Sequence, residues 1–168
     1  MKTSLLKLKT NSYLNRNKTL RSSMPYKQAA NVGILFSVEN KQKHDYIKDL
    51  IKKLQHDGKV VSVMSFLPKK SENYEFLFDF FTDQDFNFWG NINSNSVSTF
   101  SETPFDYLFY LDTKPNPLIL NLLAKSKAKC RVGKFVDSNK PYFELMIESV
   151  DGLKGLIDAI YKYTSLLR

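Results

Sequence analysis

The sequence predicts a three-layer, Rossmann-like α/β fold: a mostly parallel sheet of five to six strands with helices on both faces. Three observations carry this. Short, near-continuous apolar runs recur along the chain, as strands buried on both faces require. Segments with apolar residues at helical spacing separate them, the alternation of a parallel sheet. The 168 residues are 42% hydrophobic, with 13 Phe and 9 Tyr, enough for one substantial core.

Each element follows in order. "NVGILFSV" (31–38) is a buried strand. In the next stretch Tyr46, Ile47, Leu50, Ile51 and Leu54 recur at helical spacing, and Gly58 stands where a helix stops. "KVVSVMSFL" (59–67) is a second strand, ended by Pro68, which completes a βαβ unit. "EFLFDFF" (75–81) is a third strand, and "TDQDFNFWGNINSNS" (82–96) is irregular and holds the single Trp. "SVSTFSETP" holds a short helix and "FDYLFYLD" (105–112) a fourth strand. "NPLILNLLAKSK" (116–127) is a helix with Pro117 in its first turn. "AKCRVGKF" (128–135) and "YFELMIES" (142–149) are strands. The helix at 150–167 closes the chain, with Leu153, Leu156, Ile157, Ile160 and Tyr161 on one face.

Charge divides the chain into a basic N-terminal arm, 1–30, and a single α/β domain, 31–168. The net charge is +8, yet the first 30 residues hold seven bases and no acid. The rest is close to neutral. Within the arm, "LLKLK" and "YLNRNKTL" have a weak amphipathic pattern; the alternative is a solubilising tail. Such asymmetry points to a polyanion, nucleic acid or an anionic membrane surface. A second basic stretch, "AKSKAKCRVGK" (124–134), carries Lys125, Lys127, Lys129 and Arg131 at every second position. That spacing crosses a helix–strand joint. Lys125 and Lys127 end the helix, where cations suit its dipole. Lys129 and Arg131 share one face of the following strand, which implies an edge strand or an uncovered patch.

Several chemistries are missing. The six glycines make neither a dinucleotide nor a phosphate-loop fingerprint. The single Cys130 excludes an intramolecular disulfide and a Cys-based zinc site. His44 and His56 lie about 120° apart on one helix and read as exposed, so they share no ligand. No catalytic residue, cofactor or metal is expected. No stretch has the length of a membrane span and none reads as a signal peptide, so the expected location is cytoplasmic.

In an open parallel sheet, ligands sit beyond the carboxyl ends of the strands. Ser37, Asp112 and Lys114 stand there, with Trp89 in the neighbouring loop. Asp112 either anchors a ligand or caps the turn "DTKPNP". Trp89 either stacks on a base or sugar or plugs the core beneath its loop; Tyr26 is a second candidate for stacking.

"FDYLFYLDTKPNPLILNLLAKSKAKCRVGK" resembles a segment in the first domain of heptosyltransferase-type glycosyltransferases, a strand ending in Asp, then a helix, then a basic strand. Asp112, Ala128, Lys129, Arg131, Val132 and Gly133 fit that run. The whole chain more closely resembles an uncharacterised bacterial family, through "GILF", "DFNFWG", "SKAKCRVG" and "YFELMIE". The resemblance implies a Rossmann-like fold and no known activity.

These readings leave three expectations. The first is a non-enzymatic polyanion-binding protein, RNA foremost, using Lys7, Lys9, Arg16, Lys18, Arg21, Lys129, Arg131 and Lys134. The second is a catalytically degenerate glycosyltransferase-like domain that binds a nucleotide or sugar nucleotide at Ser37, Asp112, Lys114 and Trp89. The third is a protein-interaction module whose arm docks on an acidic partner or membrane surface, anchored by the aromatic loop at 86–92.

Overall fold

The computed structural model describes residues 2–71, 78–148 and 151–168. Within them six strands form one sheet: β1 (Asn31–Ser37), β2 (Val60–Phe66), β3 (Asp79–Phe81), β4 (Tyr107–Tyr110), β5 (Cys130–Lys134) and β6 (Leu145–Ile147). Their order is β3-β2-β1-β4-β5-β6 and every pairing is parallel. The order turns back at β1, so the switch point falls between β1 and β4.

Helices cover both faces, as the apolar runs require. Ile34 and Phe36 of β1 face one way, toward Ile47, Leu50 and Leu54 of α2 (Lys41–His56) and Leu156, Ile157 and Ile160 of α5 (Gly152–Ser165). Leu35 faces the other, toward Val97 and Phe100 of α3 (Asn95–Glu102) and Ile119, Leu122 and Leu123 of α4 (Pro117–Lys125). Each such side chain, fully buried, contributes about 1.5–3 kcal/mol. Gly133 is required by packing: a Cβ there would sit 2.5 Å from the Phe143 ring.

Short polar side chains set the helix starts. Asn40, Ser94 and Asn116 each accept a hydrogen bond from a first-turn amide of α2, α3 and α4. Gly58, at φ +78°, turns the chain out of α2 into β2.

The N-terminal segment is a 16-residue helix, α1 (Lys2–Asn17), lying on α4. Thr10 Oγ1 accepts from Asn121 Nδ2 at 2.8 Å, and Asn17 Nδ2 donates to the carbonyls of Ala124 and Lys125. The connector to β1 crosses the amino end of the sheet. Ser22 N donates to Lys129 O, Tyr107 Oη to Met24 O, and Tyr26 N to Leu167 O.

Three expectations are corrected. β3 spans 79–81, and positions 75–77 of the expected strand lie outside the described residues. β5 is interior, between β4 and β6, and is not an edge strand. His44 is 1% exposed, edge-on to Phe36 and stacked on Phe78, because it falls on the same helical stripe as Ile47 and Leu54.

Candidate functional site

Two clusters of charge stand at opposite ends of the sheet. The first is at the switch point. Asp112, just past β4, accepts from Ser37 N (2.8 Å), Ser37 Oγ (2.8 Å) and Lys43 Nζ (2.6 Å). Lys43 is fully buried in the first turn of α2 and also meets Glu39 at 2.8 Å. Asn116 Nδ2 donates to Ser37 Oγ, which ties the start of α4 to the end of β1. Burial and the neighbouring Asp112 charge push the Tyr110 phenol well above its usual range, so it stays a neutral donor to Lys114 O and acceptor from Asn116 N. The cavity bordering Asp112 measures about 10 Å³ and is also lined by Tyr110, Thr113, Lys134, Asn139 and Phe143.

The second cluster is at the amino end, on the face covered by α4. Residues 1–38 contain no acid, and neither do residues 113–136. The fold packs these two stretches together as α1 on α4. Thr10 meets Asn121 and Asn17 meets Ala124 and Lys125, so the helices run in the same sense. Both carboxyl termini therefore point the same way, and Arg16, Lys18, Arg21, Lys125 and Lys127 gather around them. Neutral oxygens and a ring hold three of them. Lys127 Nζ donates to Asn17 Oδ1 at 3.2 Å, Arg21 to the carbonyls of Ala128 and Ala124, and the Arg16 guanidinium lies 5.2 Å from the Tyr13 ring centre. Burial and the nearby Arg131 charge lower Arg21 to about 10, which leaves it protonated at neutral pH.

The residues singled out by sequence divide between these places. Ser37 and Asp112 meet at the switch point, and Asp112 serves β1 and α2 instead of capping its own turn; Asn116 caps α4. Lys114 is exposed beside them, and Lys134 donates to Thr113 O at 3.4 Å. Trp89 belongs elsewhere: it is 64% exposed in the loop after β3 and plugs nothing. Lys7 is exposed on α1 and Lys18 just past its end, while Lys9 donates to Asn91 Oδ1.

Arg131 is corrected as a nucleic-acid contact. It is 3% exposed and pairs with both carboxylate oxygens of Glu144, at 3.0 and 2.7 Å, because β6 brings Glu144 alongside an interior β5. Lys129 is held at 2.7 Å by Asp106, a carboxylate that also accepts from the Ala30 and Asn31 amides. Tyr26 is corrected as a stacking residue, being buried with its hydroxyl on Asp57.

Sequence reasoning missed Lys43, Glu39 and Asn116 in the first cluster. One signal was present: a lysine in the first turn of a helix opposes the dipole and needs a compensating acid. In the second cluster Asn17 was missed, since an Asn at a helix end looks like a cap for its own helix and here serves another.

The chain belongs to a family of unknown function, DUF6913, whose family model matches residues 2–167. No curated protein and no solved structure matches it. Among the described residues, no helix is long and apolar enough to cross a membrane.

Proposed function

We propose that this member of the family is a non-enzymatic polyanion-binding protein, RNA foremost, that grips phosphates with the α1–α4 face. One observation carries the reading: the two acid-free stretches of the chain are packed against each other, and Arg16, Lys18, Lys125 and Lys127 gather where both helices end. A positive surface of this kind releases counterions when it neutralises phosphates. The working set is Lys7, Arg16, Lys18, Lys125 and Lys127, with Lys9 and Arg21 holding the helix in place.

The test uses the full chain, because removing α1 would uncover α4. RNA affinity is measured across a salt series for the wild type and for Arg16→Ala/Lys18→Ala/Lys127→Ala. The slope of log K against log[salt] is expected to flatten by about 2, near 0.7 per lost contact to a single strand. An unchanged slope would overturn the proposal.

A second reading, a degenerate glycosyltransferase-like domain that binds a nucleotide or sugar nucleotide, is favoured by the position of Asp112 at the switch point. Two observations weigh against it. Asp112 is occupied by Ser37 and Lys43, and about 10 Å³ beside it compares with roughly 300–1,000 Å³ for small-molecule pockets.

A further inference from the structure

The loop after β3 holds two aromatic rings in solvent. Trp89 is 64% and Phe88 47% exposed, and their rings meet edge to face at 5.5 Å and 87°. They are not exposed for want of a fixed loop. The Asn87 side-chain oxygen accepts from Trp89 N and Asn91 N, both at 3.0 Å, and Gly90 N donates to Asn87 O. Phe86 and Ile92 bridge at its base, where Ile92 is buried. Behind them Thr82 and Asp85 form a capping box. The inward positions are thus filled by Phe86 and Ile92, and the loop directs Trp89 outward.

The loop is also seated on the first turns of α1. A Cβ on Gly90 would lie 3.5 Å from the Leu6 backbone, and Lys9 donates to Asn91. The bases at the other end of α1 begin with Arg16, about 15 Å along the helix axis from Leu6, and join the cluster at the end of α4. The result is an exposed aromatic pair at one end of α1 and a cluster of bases at the other, which only an extended ligand can touch together. A bilayer anchor would instead need its bases around the aromatic pair in one plane.

Resting on the polyanion reading above, we infer that Trp89 and Phe88 are a stacking platform for unpaired bases, so that the ligand class is single-stranded RNA. Every base has a face that stacks on an aromatic ring, and a duplex keeps those faces covered. Phosphates then lie along α1 while one or two bases rest on the loop.

Trp89 is the single tryptophan, so its emission reports the site directly. The full-length protein is titrated with a single-stranded RNA, a duplex of the same length, and heparin. Single-stranded RNA is expected to quench Trp89 emission, and the other two to leave it unchanged. Trp89→Ala should weaken single-strand binding about 5- to 150-fold, the range of one stacked base, and spare heparin binding. Trp89→Phe should recover most of the loss. Heparin and RNA binding with no change in emission, and no loss in Trp89→Ala, overturns this inference and leaves the polyanion reading standing. Loss of all binding to RNA and heparin removes both. A blue shift with anionic vesicles and no response to RNA assigns the loop to a bilayer and overturns the inference.

Discussion

At the carboxyl end of the sheet a lysine is sealed between two acids; at the amino end five bases gather around two helix termini, with Arg21 and Lys127 on neutral oxygens and Arg16 over a ring. Lys43 lies in the interior, so its charge needs Asp112 and Glu39 close by. Arg16 and Lys18 stand in solvent, where hydration and helix carbonyls suffice. The difference teaches where to look for function. Charge matched within the chain holds elements together, while charge left unmatched on a face sets a field that an outside partner can feel.

That contrast can be broken, most strongly at the carboxyl end. Asp112→Ala leaves Lys43 buried beside a half-exposed Glu39 and strips Ser37 of its acceptor. The expected loss is about 3–5 kcal/mol in urea unfolding. Lys43→Met with Asp112→Asn should cost less, since the amide oxygen still accepts from Ser37. Neither should alter the salt slope of RNA binding.

A smaller effect separates the matched from the unmatched charge at the amino end. Burial raises the Asp106 carboxyl, but hydrogen bonds from Lys129, Ala30 and Asn31 more than offset it, and its pKa ends below the usual carboxylate value. The folded pKa lies under the unfolded one, so the stabilisation is complete above about pH 4 and is lost as pH falls through the folded value. Urea midpoints taken from neutral to acid pH should show this decline, flattened in Asp106→Asn. The smallest effect sharpens the comparison: Lys18→Ala should keep unfolding stability within about 0.5 kcal/mol, measured by the same urea series.

The fold was largely legible because its signals are local. The run at 31–38 alternates Ile34 and Phe36 against Leu35, and both sets are apolar, so a strand buried on both faces is written in consecutive residues. Gly58 and Pro117 mark a helix end and a helix start through their own backbone chemistry. The candidate site was less legible. Asp112 stood out as a carboxylate at a strand end, but its partners Ser37 and Lys43 are 75 and 69 residues away. Lys129 and Arg131 read as an exposed pair because no local pattern says that β6 would cover β5 and bring Glu144 to the guanidinium. His44 misled because its burial depends on Phe36 and Phe78, which lie on other elements.

The sequence by itself determined the α/β alternation, the basic character of residues 1–30 and 124–134, and the lack of nucleotide fingerprints, since all of these are properties of neighbours along the chain. Only the tertiary structure decided which bases are structural and which face solvent. That choice rests on Asn17 reaching Ala124, Asp106 reaching Lys129 and Glu144 reaching Arg131. Whether a charge is cancelled depends on what lies within a few ångströms in space, and packing, not sequence order, sets that distance.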